Sequence, residues 1–455
     1  MLTDSLVIIG AMGSSSQPFR IAIVGGGIGG LFAAIAINHF CSDYDLEVDV
    51  YEQARQYSEI GAGLGLGPNA AKLFYRLGIG ERLNDIGGAG PDRSDEQHDI
   101  WISFRRYDDG SEIVGVPNAA RGEIRRASVL RSELLDVLVK IVQERNAANL
   151  HVNKRCAGVT ETDNGIRINF RDGSNAVADL VIGADGIHSA VRETYVSDKA
   201  LYSGLISYRG VIDMDKISPW WKLPVSVAWC RPGAHLLVYP ISRDRLLTFV
   251  GFVTVPEEQL GTLGESWTSK GRREEFLRDM ADFCEDARRV IELTPDVIDK
   301  WKINDRNPLD QWVFAGGHVV LLGDAAHALV PHQGAGAGQT IEDGYILARS
   351  LQQYFKAVKS YGGSDGTVAK PSSDLLKRLM TVYQDVRLPR AQRVQVTSRE
   401  AGNLYEFHAP EYKGLSFEES LPVFKEKVIG RMKWIWEDDL DAAFERAVES
   451  ALKSE

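Results

Sequence analysis

A strand, a glycine-rich turn, a helix and a second strand follow one another between Ile21 and Glu52, and this run constrains the fold more than any other. Ile21-Ala22-Ile23-Val24 is an apolar strand, Gly25-Gly26-Gly27-Ile28-Gly29-Gly30 is the turn, Leu31 to Phe40 is an apolar helical run, and Val48-Asp49-Val50-Tyr51-Glu52 is a strand closed by an acid. That is the order of a βαβ dinucleotide-binding unit. Gly25 allows the tight turn, Gly27 lets the backbone approach a pyrophosphate, and Gly30 lets the helix sit close on the strand. The helix N-terminus offers free N–H groups and partial positive charge to the phosphates. Glu52 is placed to accept hydrogen bonds from a ribose. Glycine-rich turns are common, but the flanking strands and the terminal acid together predict a bound adenine dinucleotide.

At 455 residues the chain can bury a large core, and its length suits two or three domains or one intertwined unit. A formal charge of −11 leaves no basic footprint for nucleic acid or an anionic membrane. Cys41, Cys156, Cys230 and Cys284 are widely spaced, with no Cys-x-x-Cys pair, so neither a metal site nor a disulfide framework is indicated and a reducing compartment fits best. No apolar run reaches the length of a membrane span. Leu6 to Gly10 is too short for a secretory segment and follows Asp4 rather than basic residues. Residues 1–18 read as a Ser-rich N-terminal extension, and the expected address is cytoplasmic.

Further along, Ile60 to Asn69 resembles a second nucleotide fingerprint, but no strand leads into it and Pro68 follows at once. It reads better as backbone laid against a cofactor, with Gly65 at its centre, where side chains would clash. Ala70 to Leu77 is an expected helix stopped by Gly78. Residues 98–126 alternate in short bursts that suggest strands outside the first unit, and a helix is expected from Ser128 to Arg145 with Arg131 near its head. Ile166 to Phe170 and Ala176 to Ala178 read as strand segments joined by a turn at Asp172-Gly173. The apolar strand running into Gly183-Ala184-Asp185-Gly186 reads as buried and parallel, its C-terminal end facing a ligand. Tyr202 to Val255 is β-rich without intervening helices, which points to an antiparallel sheet able to wall a pocket, and residues 271–293 return to helix. A third acid-ended strand stands at Val319 to Asp324, and small residues from Gly334 to Gly338 open a helix placed at Thr340 to Leu351. Residues 358–373 read as a loop and the remainder as helices, the tail from Asp441 to Lys453 serving for packing.

Gly25 to Gly30 with Glu52, Asp185-Gly186, and Gly323-Asp324, in that order, resemble the class A flavoprotein aromatic hydroxylases of the para-hydroxybenzoate hydroxylase type, over nearly all of residues 20–440. Pro331 to Gln339 with Glu342-Asp343, Thr397 to Glu406, and Trp434-Ile435-Trp436 are similar to salicylate hydroxylase and its fungal relatives. The resemblance implies an α/β fold in which a Rossmann-like FAD-binding domain is interleaved with an antiparallel-sheet substrate domain and followed by C-terminal helices. In this chain that places FAD-binding segments at 19–85, 127–195 and 301–357, substrate-domain segments at 86–126 and 196–300, the loop at 358–373, and a helical region at 374–455.

The resemblance also implies roles. Glu52 would hold the adenosine ribose, Arg131 and Asp324 the linker and phosphates, Asp185 the crossing near cofactor and reductant, and the backbone at Gly65 and from Gly334 through Gly336 to Ala337 the isoalloxazine. Related fungal phenol-oxidising monooxygenases use an Arg in a Tyr/Phe-Arg-Gly motif and a Tyr before Pro, which match Arg209 and Tyr239; salicylate hydroxylases often carry Phe at the latter position. Arg209 would hold a carboxylate or phenolate, Tyr239 would relay a proton, and His332 would accept the phenol proton at neutral pH, while His327 is read as structural. As bare residues each has a plainer role: an ion pair across a sheet, a core tyrosine, a packed histidine. The implied chemistry is hydride transfer from NADH or NADPH to FAD, reaction with O₂ to a C4a-hydroperoxide, and oxygen transfer to the ring of a small phenolic acid, by a monomer or homodimer. Attack at the carboxyl-bearing carbon would release CO₂. Hydroxylation without decarboxylation, including dearomatising attack, is the enzymatic alternative, and a flavin-binding redox sensor or scaffold is the alternative of another class.

Overall fold

Two sheets of opposite character arise from two residue patterns. In the computed structural model, which describes residues 17–57, 62–88, 90, 100–118, 123–221, 225–261, 269–361 and 373–453, the continuous apolar runs form a six-stranded sheet buried under helices. Its order is Val313–Phe314, Val319–Leu321, Leu180–Gly183, Phe19–Val24, Leu46–Tyr51 and Asn149–His151, parallel except for the first pair. The helix Ile28–Cys41 is buried on nearly every side, between this sheet and the helix Gly336–Tyr361. Their contact is close because Gly344 has no side chain: a Cβ there would lie 3.2 Å from the Ala33 Cα.

The alternating runs form an eight-stranded sheet in the order Lys270–Arg272, Val297–Asp305, Leu201–Asp213, Leu246–Thr254, Ala234–Ile241, Ser226–Arg231, Ile100–Arg106 and Glu112–Pro117. Its pairs are antiparallel apart from Ser226–Arg231 beside Ile100–Arg106, which run parallel. The strand Val297–Asp305 stays in this sheet past residue 300. The turn at Asp172-Gly173 joins Gly165–Phe170 to Asn175–Ala178, and Cys156–Thr162 completes a three-stranded sheet.

Three local expectations shift. Residues Gly63–Leu66 form a short strand, paired antiparallel with Ala127–Leu130, so the expected helix at Ser128 begins only at Arg131. Pro68 opens the helix Pro68–Arg76, where its missing N–H costs nothing. The helix expected from Thr340 begins at Gly336, so the small residues are its first turn. That helix runs to Tyr361, Ser373 at the far end of the expected loop is already helical, and residues 362–372 and most of the N-terminal extension lie outside the described residues. A long helix, Ser373–Tyr405, then crosses beside Gly336–Tyr361, and Leu440 and Phe444 of the final helix Leu440–Lys453 reach the core.

Candidate active site

The glycines of the first turn divide into two kinds. Gly25 has φ +110°, and a Cβ on it would lie 2.2 Å from the Ala184 carbonyl oxygen; one on Gly30 would lie 2.0 Å from the Gly25 carbonyl oxygen. Both positions close the turn against its own neighbours. Gly27 is open: a Cβ would meet nothing within 4 Å, and the residue lines a cavity of about 400 Å³. The helix Ile28–Cys41 starts here with no side-chain cap and no acid in its first turn, so its N–H groups and positive end favour an anion in that space. Glu52 stands behind the turn, where its carboxylate accepts the N–H groups of Gly26 and Ala54, each at 2.8 Å.

From Gly27 the cavity runs past Arg131, Asp324, Gly65, Gly334, Gly336 and Ala337 to the eight-stranded sheet. Asp324 is exposed on this wall, and Gly334 turns with φ +57° just before the N-terminus of Gly336–Tyr361. A buried ionic network holds that loop and helix in place. Asp343 accepts from Gly323 N–H (3.0 Å), His327 Nε2 (2.6 Å) and Arg387 Nε (2.8 Å), while Glu342 accepts from Arg387, Arg390 and Asn69. Burial pushes both carboxyls up, but the partners opposite, Arg387 with Arg390 at Glu342 and His327 with Arg387 at Asp343, outweigh it and hold both below the ordinary carboxylate value. His327 is thus spent on Asp343. The long helix also pins the intervening loop: Gln395 donates to the Ala328 carbonyl and Ser398 to the Val330 carbonyl.

The far wall follows from the two-residue period of strands. Ser207 and Arg209, Thr248, Val250 and Phe252, His235, Leu237 and Tyr239, Ser226 and Ala228, and Ile102 and Phe104 alternate onto one face, and all line the cavity. The guanidinium of Arg209 lies 3.5 Å from the Trp301 ring centroid. Burial pushes the Tyr239 hydroxyl up to about 12 against the pull of Arg126 and Arg209, so it stays protonated and able to donate.

Two histidines meet at one end of this face, their ring centroids 5.3 Å apart, and both border Phe252. His235 Nδ1 lies 3.1 Å from a Glu406 oxygen, and Thr254 Oγ1 donates to the other at 2.6 Å. Burial works against the Glu406 charge, but the His235 hydrogen bond and the neighbouring histidines hold its pKa below the ordinary value, so Glu406 is a carboxylate and Nδ1 is the donor. The expectation that His332 takes a proton near neutral pH does not suit its setting. Burial, and then His235 beside it, bring His332 down to about 3, and its ring is packed where a Cβ on Gly402 would lie 2.5 Å away. A neutral imidazole held there is a weak base.

Asp185 also stands differently from expectation. Its carboxylate accepts from Ser189 Oγ (2.5 Å) and Ala190 N–H (2.7 Å), bracing the helix Ala190–Tyr195, while Gly186 lines the cavity in its place. Burial raises its pKa, and these hydrogen bonds only partly offset that. Of the residues expected at the site, Gly27, Gly65, Arg131, Asp324, Gly334, Gly336, Ala337, Arg209, Tyr239 and His332 line the cavity, whereas Gly25, Gly30, Glu52 and Asp185 are not among its lining residues. Arg126, His235 and Glu406 were not picked. His235 shares a strand face with Tyr239, four residues on, and that spacing is a legible signal; Glu406 reaches it from 171 positions away.

The FAD binding domain family matches residues 19–361. The chain belongs to that family. It is 33% identical over 448 residues to a salicylate hydroxylase of Pseudomonas putida, covering 95% of this chain and 94% of that protein. It is 32% identical over 437 residues to a 6-methylsalicylate 1-monooxygenase of Aspergillus terreus, covering 94% and 91%. A solved salicylate hydroxylase substrate complex superposes with a TM-score of 0.77 at 30% identity, covering 95% of this chain and 98% of that one. The chain is an FAD-dependent aromatic monooxygenase of the salicylate hydroxylase-like group, with NADH or NADPH as reductant and O₂ as co-substrate. The uncapped helix at Gly27 and the glycine-lined passage beyond it suit FAD. Among the described residues, no helix is long and apolar enough to cross a membrane.

Proposed function

We propose that this flavoprotein hydroxylates a hydroxybenzoate at the carbon bearing the carboxyl group, releasing CO₂. The observation that carries the reading is the sheet face opposite the flavin passage: Arg209 on that face and Arg126 beside it exert positive charge on the Tyr239 hydroxyl, and His235, held by Glu406, stands at the end of the same face. Such a face suits a ring carrying both an ionisable hydroxyl and a carboxylate.

When bound, FAD takes reducing equivalents from NAD(P)H and activates O₂ for transfer to an electron-rich ring. The N–H groups beside Gly27 would hold its pyrophosphate, Glu52 its adenosine ribose, Arg131 and Asp324 its linker, and Gly334 to Ala337 its ring edge. The chain's other residues prepare the substrate. His235 donates through Nδ1 to Glu406, which leaves Nε2 as the acceptor for the phenol proton. Arg209 favours the resulting phenolate, and Tyr239 donates a hydrogen bond to it. Once oxygen is on the carboxyl-bearing carbon, departure of CO₂ leaves its bonding pair in the ring and restores aromaticity. Free Cys41, Cys156, Cys230 and Cys284 support a cytoplasmic site for this chemistry.

The test is product mass after turnover with NADH or NADPH and a panel of salicylates and para-hydroxybenzoates. Replacement of the carboxyl group by hydroxyl supports the proposal. A gain of one oxygen with the carboxyl retained overturns the decarboxylation and favours ordinary or dearomatising hydroxylation. A yellow protein whose NAD(P)H consumption no phenol accelerates would make it a redox sensor or scaffold.

A further inference from the structure

Arg126 is a half-buried cation with no anion beside it among the described residues. Its Nε is buried with no hydrogen-bond partner, and among the described residues no carboxylate pairs with it. The titratable groups that face it are the Tyr239 and Tyr405 hydroxyls, which burial keeps protonated and therefore uncharged. The guanidinium stacks 4.3 Å from the Trp101 ring centroid, and space for it is made by two glycines: a Cβ on Gly65 would lie 2.1 Å from Nη2, and one on Gly334 would lie 3.5 Å away. The backbone around it is tied down. Arg126 precedes Ala127–Leu130, which pairs with Gly63–Leu66, and Ser242 N–H donates to the Ser128 carbonyl just beyond the strand that carries Tyr239. Shutting the Nε of a guanidinium off from water costs free energy, and an anion arriving beside it would offset that cost.

We propose that Arg126 is the carboxylate-recognition residue of the site, pairing with the carboxylate of an aryl carboxylic acid while Arg209, stacked on Trp301, serves the phenolate. The proposal rests on the phenolic-acid reading above and assigns one charge of that substrate to one side chain. The geometry of Arg126 suits this role, because a planar fork fixed on a Trp face presents its remaining N–H groups to a carboxylate in one plane, a pairing a neutral amide of the same shape cannot replace. Gly65 thereby acquires a second reason to lack a side chain, since a Cβ there would strike the fork.

The test uses flavin-loaded protein and equilibrium binding, read from the change in the flavin's visible absorbance on titration with salicylate and with its neutral isostere salicylamide. The wild type should prefer the acid, and Arg126→Gln should weaken salicylate binding by about 100-fold while leaving salicylamide binding unchanged. Arg126→Lys, which keeps the charge without the fork, should recover part of the loss. If the wild type prefers the acid and Arg126→Gln keeps the full preference, the Arg126 assignment falls while the phenolic-acid reading stands. If the wild type binds acid and amide alike, both fall. Loss of flavin from Arg126→Gln with retention in Arg126→Lys would give the charge to the cofactor and overturn the proposal.

Discussion

Gly27→Ala and Gly30→Ala, three positions apart in one turn, should both impair flavin binding but differ in what they do to the empty protein. At Gly27 the backbone has φ −72° and ψ −174°, which alanine adopts freely, and the added methyl meets nothing within 4 Å. The apo-protein should therefore keep its stability or gain about 0.4–1 kcal/mol, because alanine narrows the unfolded ensemble. At Gly30 the methyl would lie 2.0 Å from the Gly25 carbonyl oxygen, where ordinary contact begins at 3.4 Å, and also 3.1 Å from Ile23 Cγ2. The obstructing oxygen is backbone, so no rotamer change relieves it and the helix must retreat from its strand. Overpacking of this kind costs about 1–3 kcal/mol, and the helix preference of alanine over glycine returns about 0.8–1 kcal/mol, leaving a net loss of up to about 2 kcal/mol, which a clash as close as this one places at the upper end. Thermal unfolding of flavin-stripped protein measures this term, because bound FAD would raise the midpoint by mass action. FAD titration of the same samples measures the other. Gly27→Ala that binds FAD like the wild type would refute the pyrophosphate cradle, and Gly30→Ala apo-protein as stable as the wild type would refute the close-packing argument.

Glu52→Ala should lower flavin occupancy after gel filtration, since it removes both the proposed ribose acceptor and the carboxylate that holds the Gly26 and Ala54 N–H groups; equal occupancy would remove Glu52 from the site. Arg387→Met leaves Glu342 and Asp343 with fewer cations and should cost about 3–5 kcal/mol at neutral pH. Because both folded carboxyls lie below their unfolded values, that deficit should shrink as pH falls through the carboxylate range, and a pH-independent deficit in denaturant titrations would count against the ionic account. His332→Gln should leave the shape of the kcat/KM profile unchanged between about pH 6 and 9, because a histidine brought down to about 3 does not titrate there. In the wild type the unfolded chain binds a proton at His332 that the folded one refuses, so stability should decline as pH falls from about 6.5 towards 3, and the variant should lack that component.

The first βαβ unit was legible because each of its features is local: apolar strands, a turn only glycines can make, and an acid at the second strand's end. The cavity-facing positions of Arg209 and Tyr239 were reachable through the family resemblance. Helix starts were less legible. Ser128 to Leu130 carry residues acceptable in a helix or a strand, and pairing with Gly63–Leu66 decides in favour of strand. The small residues before Thr340 resemble a loop, yet they are helical because the long helix and the Asp343 network hold them there. Arg126 and Glu406 were illegible for another reason. Arg126 reads as one of two surface-like arginines, and its setting exists only once Gly65 and Trp101 stand against it. Glu406 gains meaning only from a histidine on a distant strand whose register no local pattern reveals.

The position of Leu180–Gly183 in the parallel sheet also governs how this protein can come into being. It lies between Phe19–Val24, which is made early, and Val319–Leu321, which leaves the ribosome only after every strand of the eight-stranded sheet has been synthesised. Until then one edge of four otherwise fully buried residues stays unpaired, with Val181 and Ile182 at its centre. Long-range pairing of this kind is slow, and the open edge invites other strands during the wait. Fragments ending before Val319 should therefore aggregate on synthesis instead of yielding a smaller flavin-binding protein, so nascent chains of this length depend on being shielded until the last parallel strand arrives.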